Sequence, residues 1–327
     1  MANHGIITIG ASAGGVEALR QLVAGLPADL PASVFVAVHT AREAKEALAE
    51  ILSRSGPMPA EMATDHQEMQ RGTIYVAPPD YHLMIDRRFM YLTHGPRENL
   101  VRPAIDPLFR SAAVVHGSHV IGVVLSGNLD DGTAGLLAIK RCGGIAVVQD
   151  PRDALYSDMP TSALQTVDVD TCAALSDLPS LLTHMAHNPP GPPTSVPPDL
   201  LAEVEMSRTE SGDIGVLNEI GKITSLRCSE CGGPLWQVKD DKMTRFRCFV
   251  GHSFTARSLA TELTDGVEKS MWVSVQMLYE RAHMLERLAA SDTQKHREQD
   301  AASFRDKAVA TREQADRMRR FLLSVNL

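Results

Sequence analysis

The sequence lacks any apolar run long enough to span a membrane, although 44% of its 327 residues are hydrophobic. A transmembrane helix needs about 20 consecutive apolar residues. The N-terminus, Met1–Gly5, has no basic stretch followed by an apolar core, so no secretory signal is predicted. These absences predict a cytoplasmic protein that does not insert into a membrane.

Cysteine is scarce, with five residues in the whole chain. In a cytosolic protein so few cysteines favour free thiols or metal ligands over disulfides. Cys142 and Cys172 stand alone in the sequence and are interpreted as packing residues.

Positive charge is scarce in the first part of the chain. Residues 1–199 carry 13 Lys and Arg against 21 Asp and Glu, whereas residues 200–327 carry 19 of each. An acidic surface disfavours contact with a phosphate backbone. Residues 222–258 are locally basic and contain aromatic residues, but aromatic residues near a small metal site usually form its miniature core. No nucleic-acid partner is expected.

Strand-like and helix-like segments alternate over residues 6–182. The predicted strands share short, β-branched apolar runs: 6–9, 33–38, 72–77, 89–92, 120–125 and 145–148. The predicted helices include Ala41–Arg54, Pro107–His116 and Thr133–Cys142. Continuous apolar strands alternating with helices predict an α/β fold with a doubly wound, mostly parallel sheet in three αβα layers.

Proline sets the predicted domain boundary. Six prolines fall within 187–198, a composition typical of a stiff linker. The sequence is therefore divided into a catalytic domain (1–186), a linker (187–199), a zinc knuckle or ribbon (200–257) and a helical hairpin (258–327). The hairpin is predicted from an apolar stripe that begins at Trp272 and ends at Leu288.

The turn Gly10–Gly15 follows the first predicted strand and precedes a predicted helix. Glycines permit a sharp turn, and a helix N-terminus offers free N–H groups and a positive dipole end. Ser12 in this turn fits the G-x-S-x-G pattern of an exposed nucleophile. A phosphate-binding loop and a plain turn fit the same motif.

A serine nucleophile needs a base and a carboxylate, and both follow later predicted strands. His39 comes directly after the second strand, and Asp130 and Asp131 follow the strand at 120–125. The carboxyl ends of such strands meet at one crevice, which predicts a triad with either aspartate. The absence of Lys or Arg between Gly5 and Leu19 weakens the phosphate-binding alternative.

Six stretches, which occur in family order, resemble the catalytic domain of CheB, the family of chemoreceptor glutamate methylesterases. They are 9–15, Val38-His39, 79–83, 102–109, 125–136 and 158–160. The resemblance implies hydrolysis of γ-glutamyl methyl esters on receptors, with glutamine deamidation at the same sites. A methylated chemoreceptor or another signalling protein is the implied partner.

The resemblance assigns Ser12 as nucleophile, His39 as base and Asp131 as acid, with no cofactor for catalysis. It also implies substrate or oxyanion contacts at three residues: Ala13, Asn128 and His82. This chain departs from the family at Asn128 and Leu129, which affects the expected acyl pocket. The first strand begins about six residues from Met1, so no receiver domain is expected ahead of it.

Two pairs of soft ligands lie in the third segment. Cys228 and Cys231 form a C-x2-C pair, and Cys248 and His252 form a C-x3-H pair sixteen residues later. This spacing predicts a structural Zn²⁺ site in which the protein supplies all four ligands. The alternative function is a signalling scaffold that is non-catalytic or has a different target and uses the zinc and helical module to bind a partner. The C-terminal helices are also expected to allow self-association.

Overall fold

A parallel sheet of seven strands lies at the centre of the first part of the molecule. The computed structural model describes residues 5–39, 47–210, 212–240 and 242–324. Its first strands in chain order are β1 (Gly5–Ala11), β2 (Ala32–Val38), β3 (Ala60–Met62), β4 (Ile74–Val76), β5 (His82–Ile85), β6 (Met90–Thr93), β7 (Val120–Val124), β8 (Ile145–Gln149) and β9 (Thr171–Ala173). The order across the sheet is β3-β4-β2-β1-β7-β8-β9, and β5 and β6 form a separate antiparallel hairpin.

Helices cover both faces of this sheet. They are α1 (Gly15–Ala24), α2 (Ala47–Ser55), α3 (Ile105–His116), α4 (Thr133–Arg141), α5 (Asp158–Thr166) and α6 (Leu178–His187). One hydrophobic core joins α1, α2 and α6 to the sheet, and the other joins α3, α4 and α5. The predicted three-layer α/β fold is confirmed. The first residues of the predicted helix Ala41–Arg54, residues 41–46, lie outside the described residues.

The strand order places a crevice beside β1. The chain adds strands on the β2 side of β1 and then crosses to β7 on the other side. In a doubly wound sheet, such a reversal opens a crevice at the carboxyl ends of the strands. The register aligns Ala11 with Val38 and Gly10 with Val124, so the residues after these three strands meet at one edge.

A smaller antiparallel sheet follows within the same compact unit, which is Met1–Ser258. It is preceded by α7 (Pro198–Thr209) and α8 (Ile214–Ile220), and its strands are β10 (Gly221–Arg227), β11 (Pro234–Val238), β12 (Arg245–Cys248) and β13 (Ser253–Thr255). The proline-rich stretch between α6 and α7 has no regular secondary structure. The four-part domain division stays a prediction.

The second compact unit, Leu259–Leu327, consists of helices in its described part. These are most of α9 (Ala256–Gln294) and all of α10 (Glu298–Ser324). The Tyr279 hydroxyl donates to Asp316 Oδ1 over 2.6 Å, and Arg312 pairs with Glu286 over 3.1 Å, which makes the helices antiparallel.

The seam of this helical pair repeats every seven residues. Its buried members are Val275, Ala282 and Ala289 on one helix and Ala301, Ala308, Ala315 and Leu322 on the other. Trp272 and Leu288, at the two ends of the predicted stripe, are 37% and 42% exposed. The predicted helical C-terminal region is confirmed, and Val275 and Ala282 of the predicted stripe lie in the seam, whereas the two ends of the stripe are partly exposed.

Candidate active site and candidate metal centre

Ser12 lies in the turn between β1 and α1. Its N–H donates to the Ser126 carbonyl over 3.0 Å, and its own carbonyl accepts from Gly15 over 2.9 Å. Gly14 has a φ of 73°, a left-handed conformation that glycine adopts without strain. A Cβ at Gly14 would lie 3.0 Å from Ser126 Oγ. The turn therefore needs a glycine at this position to present Ser12 at the edge of the sheet.

His39 follows β2 and lies directly against Ser12. Its Nδ1 lies 3.0 Å from Ser12 Oγ, and its Nε2 lies 2.7 Å from Asp131 Oδ2. Because the carboxylate accepts the proton on Nε2, Nδ1 is left unprotonated and faces the serine hydroxyl. The side chain of His39 is 16% exposed, so the ring is accessible from the surface.

Asp131 follows β7 and is buried at the N-terminus of α3. Oδ2 also accepts from the Ile105 N–H over 2.7 Å, and Oδ1 accepts from Asn99 Nδ2 over 2.9 Å. Burial alone would raise the pKa of Asp131, but the hydrogen bonds from His39, Ile105 and Asn99 hold it below its ordinary value. The side chain therefore stays ionised beside the imidazole.

Asp130, the other aspartate that the sequence allows as the acid, bonds to a residue other than His39. Its Oδ1 accepts a hydrogen bond from the Thr255 hydroxyl over 2.8 Å. Burial raises the pKa of Asp130, in contrast to that of its neighbour. Of the two aspartates, Asp131 is the one that contacts His39.

Two buried polar residues next to Asp131 were missed by the sequence analysis. The Nδ2 group of Asn99 donates both to Asp131 and to Asp106 Oδ2, the latter over 2.9 Å. Asp106 Oδ1 accepts from the Gly135 N–H over 2.6 Å. Burial and the charge of Asp131 raise the pKa of Asp106 well above its ordinary value. No sequence signal marks Asn99, because its partners lie in other elements.

Ala13 follows Ser12 in the turn, and Asn128 lies in the loop after β7. The Ala13 carbonyl accepts from Ser126 Oγ over 2.8 Å, which fixes this peptide. Among the described residues, none accepts a hydrogen bond from the Ala13 N–H. Asn128 is exposed at the end of β7. Both are available to a bound substrate.

His82, the third predicted substrate contact, is turned away from solvent. It is 3% exposed; Nδ1 accepts from the Ala104 N–H and Nε2 donates to the Pro96 carbonyl, each over 3.1 Å. Burial lowers the pKa of His82, which keeps the ring neutral for this pair of bonds. The backbone engages both ring nitrogens of His82, and the expected substrate contact stays a prediction.

Open space adjoins the triad on two sides. A groove of about 960 Å³ runs from Ser12 between α1 and α2, and Arg20 and Arg54 line it. A smaller pocket of about 240 Å³ lies beside His39, with Arg97 and Arg102 among its walls. A substrate chain can therefore approach the serine along the surface.

The four predicted metal ligands converge in the smaller sheet. The ligand atoms of Cys228, Cys231, Cys248 and His252 all lie within 4.8 Å of one another. Each pair lies in a tight turn: the Gly232 N–H donates to the Cys228 carbonyl, and the Gly251 N–H donates to the Cys248 carbonyl. Tetrahedral zinc with bonds of about 2.3 Å to sulfur places its ligands about 3.8 Å apart. The Sγ atoms of Cys231 and Cys248 lie 3.7 Å apart, so the cluster could hold such an ion.

A buried ion network joins the smaller sheet to α3 and α7. Arg110 donates to both carboxylate oxygens of Glu98, over 2.8 and 2.6 Å. Arg245 forms a two-pronged pair with Glu203 at 2.8 Å on each side, and Arg247 Nη1 lies 3.5 Å from Glu98. Because the carboxylates of both glutamates are buried, their charges depend on these arginines.

A family model described as CheB methylesterase matches residues 7–182. A putative protein-glutamate methylesterase/protein-glutamine glutaminase from Leptospira interrogans serovar copenhageni is 36% identical over 188 residues, which cover 57% of this chain and 97% of that protein. A protein-glutamate methylesterase/protein-glutamine glutaminase from Maricaulis maris is 33% identical, over 53% of this chain and 44% of that protein.

The comparison with solved structures finds a member of the same family. The crystal structure of the Thermotoga maritima CheB methylesterase catalytic domain is 30% identical, with a TM-score of 0.55 over 56% of this chain and 98% of that one. The family match ends before the cysteine and histidine cluster. No helix in the described ranges is long and apolar enough to cross a bilayer.

Proposed function

Since the chain belongs to the CheB methylesterase family, we propose that it hydrolyses γ-glutamyl methyl esters of chemoreceptors, with Ser12 as nucleophile. The observation that carries the proposal is the hydrogen-bonded chain from Ser12 through His39 to Asp131 at the crevice beside β1. Such a chain activates a serine hydroxyl at neutral pH.

In the first half of the reaction, Ser12 Oγ attacks the ester carbonyl while His39 Nδ1 takes its proton. Asp131 holds the other ring proton and stabilises the imidazolium that forms. His39 then gives its proton to the leaving oxygen, so that methanol departs and the glutamyl group stays on Ser12 as an ester. The positive charge that forms on the His39 ring is therefore always next to the negative carboxylate of Asp131.

In the second half, water replaces methanol. His39 Nδ1 takes a proton from the water as it attacks the acyl carbonyl, and the proton returns to Ser12 Oγ when the ester breaks. The products are a glutamate side chain and the original serine. A glutamine substrate passes through the same acyl group and releases ammonia, which fits the second activity in the names of the relatives.

The Ala13 N–H and the loop at Asn128 stabilise the negative oxygen of each tetrahedral intermediate. Ala13 supports this role because its peptide is fixed by Ser126 and its N–H faces no acceptor among the described residues. In other enzymes, loss of one such donor costs about 3–4 kcal/mol of transition-state stabilisation.

The test measures methanol release from methylated receptor together with labelling by a serine-directed fluorophosphonate. We expect Ser12→Ala to abolish both, while Ser180→Ala, an exposed serine of α6, behaves like the parent protein. Normal methanol release by Ser12→Ala would exclude the serine mechanism. Labelling without any ester hydrolysis would retain an activated serine but reject this substrate.

The Cys228, Cys231, Cys248 and His252 cluster supports a structural Zn²⁺ site with no part in the chemistry, because the four ligands leave no open coordination position. The five free cysteines also suit a reducing, cytoplasmic location. We expect one zinc per chain by atomic absorption, and loss of zinc in Cys228→Ser but not in Cys172→Ser. A parent protein purified without metal would refute the site.

The helical unit is proposed to bind a signalling partner or a second copy. Its exposed apolar residues include Val273, Met277 and Met284. Light scattering of the purified protein tests the self-association: a Val273→Glu, Met277→Glu pair should shift a dimer towards the monomer. A parent protein that is monomeric at high concentration contradicts it.

A further inference from the structure

The segment directly after the candidate metal ligand His252 contacts the loop that precedes α3. The Asn99 N–H donates to the Ser253 carbonyl over 2.8 Å. The Thr255 N–H donates to Asn99 Oδ1 over 3.1 Å, and Ser258 Oγ lies 3.4 Å from the same oxygen. Three residues of one short segment therefore surround the Asn99 side chain and backbone.

These contacts determine which way the Asn99 amide points. Its oxygen accepts from Thr255 and Ser258, so its nitrogen must face the other side, where it donates to Asp131 and Asp106. All the polar atoms of this buried amide are thereby engaged. Asn99 also has a φ of 50°, a left-handed conformation that is uncommon outside glycine and that the surrounding contacts must hold in place.

The segment reaches the acid of the triad by a second route. The Thr255 hydroxyl donates to Asp130 over 2.8 Å, and Asp130 is the residue before Asp131. Ser258 Oγ in turn accepts from the Thr255 N–H over 3.0 Å. Both Thr255 and Ser258 are fully buried, so water does not replace these bonds.

We propose that Ser253–Ser258 is a positioning segment for the catalytic acid, that it acts through Asn99 on Asp131, and that metal bound at the adjacent cluster holds it in place. The inference rests on the proposed esterase function. The metal takes no part in ester chemistry; it fixes Cys248 and His252, and His252 immediately precedes the segment. The zinc module is thereby a condition for full activity rather than an independent attachment.

Buried charge supports the coupling. Arg247 lies on the strand that ends at Cys248, and its Nη1 lies 3.5 Å from Glu98, the residue before Asn99. The Glu98 carboxylate also pairs with Arg110 of α3. The first residue of this helix, Ile105, donates its N–H to Asp131. A shift of the metal-binding strands would therefore disturb the loop and the helix that hold the triad acid.

The test is a double-mutant cycle between Asn99→Ala and Ser258→Ala in the full chain, with methanol release as the assay. We expect Asn99→Ala to lower kcat by roughly 30-fold and Ser258→Ala by roughly fivefold, with KM unchanged in both. The double variant should be no slower than Asn99→Ala, because the two act in series. Thr224→Val, which removes a hydroxyl hydrogen bond elsewhere in the smaller sheet, is the matched control and should keep the parent kcat.

Multiplying effects in the double variant, or an unchanged kcat in Ser258→Ala, would overturn the proposal. Bound zinc and thermal unfolding are measured for every variant, so that a folding defect is recognised. If the parent protein is inactive on the methyl ester, the proposed function is contradicted instead. The rate of fluorophosphonate labelling at Ser12 then replaces methanol release as the assay in the same cycle.

A second experiment needs no substitution in the segment. Zinc is removed from the parent protein and from Asn99→Ala with a chelator, and both are then reloaded. We expect the parent to lose most of its kcat and its labelling rate and to recover both on reloading, while Asn99→Ala, which keeps only the contacts through Asp130 and Glu98, loses a smaller fold. A zinc-free parent, confirmed by metal analysis, that retains full kcat would contradict the coupling.

Discussion

At the residue scale, two neighbouring aspartates at the proposed triad ionise differently. Asp131 is held below its ordinary pKa by three donors, while burial raises the pKa of Asp130. Two adjacent carboxyl groups thus differ because only one faces His39 and the N-terminus of α3. The sequence places both after the same strand but cannot show which one turns inward.

Replacement of Asp131 by Asn removes the acceptor that keeps the His39 proton on Nε2. We expect kcat to fall by about 10⁴-fold, the loss that a wrong imidazole tautomer causes in a serine protease. Asp130→Asn is the matched comparison and should cost less than tenfold, since its carboxylate contacts Thr255 rather than His39. Methanol release measures both. Equal losses in the two variants would contradict the assignment of the acid.

Gly127 lies where any side chain would displace Ser12. A Cβ there would come 2.8 Å from Ser12 Cβ and 2.1 Å from Met159 Sδ. We expect Gly127→Ala to lower kcat at least tenfold and to reduce the free energy of unfolding by about 1–3 kcal/mol through overpacking. Urea unfolding and the ester assay check these effects. Gly233→Ala, whose Cβ would have its nearest neighbour at 3.5 Å, is the control.

At the scale of elements, the apolar strands β1, β2, β7 and β8 could be predicted because each is buried on both faces. The edge strands β3 and β9, three residues each, carry too little pattern to be found. Helix α7 was also missed, because its buried face contains the charged residue Glu203. The burial of this carboxylate is compensated by three arginines that are distant in the sequence. Likewise, the contact between Thr255 and Asn99 joins residues 156 positions apart.

The pairing of α7 with β12 predicts a pH-dependent stability. Burial by itself would raise the pKa of Glu203, but Arg245, Arg110 and Arg247 hold it at about 2, below its ordinary 4.5. The ionised carboxylate therefore stabilises the fold fully above pH 4.5, and this contribution is lost as the pH falls from 4.5 through 2. A shift of this size corresponds to about 3 kcal/mol.

Urea unfolding of Glu203→Gln measures this contribution. At pH 7 we expect the variant to be less stable than the parent by about 3–5 kcal/mol, because it leaves arginines buried without their partner. The difference should shrink below pH 4.5. The exposed Glu17→Gln of α1 serves as control and should show no such convergence. A difference independent of pH would contradict the depressed pKa.

At the scale of the whole molecule, the residues matched by the family model are held together with a sheet that lies outside that match. The network of Glu98, Arg110, Glu203, Arg245 and Arg247 crosses this sequence boundary. The linker prediction treated the two parts as separable. The proline-rich composition could not reveal that charged groups on either side pair in the interior.

A chain ending at His187 should therefore be less stable than the full protein and less active. The truncation removes the ion pair between Arg247 and Glu98 and exposes Arg110. We therefore expect a fall in Tm of several degrees, together with a lower kcat. The matched comparison ends at Asp265, which retains the smaller sheet and the start of α9 and should stay close to the parent in both measures. A chain ending at His187 with full stability and rate would show that the sheet is dispensable.

The alanine seam of the helical pair has a consequence for how this part of the chain can change. Ala282, Ala308 and Ala315 are at most 2% exposed where the two helices meet, so a larger side chain at any of them must push the helices apart. Met277 and Val309, more than half exposed, are free of that restriction. The seam alanines therefore cannot be replaced by larger residues, whereas exposed apolar positions such as Met277 can change without disturbing the contact between the two helices.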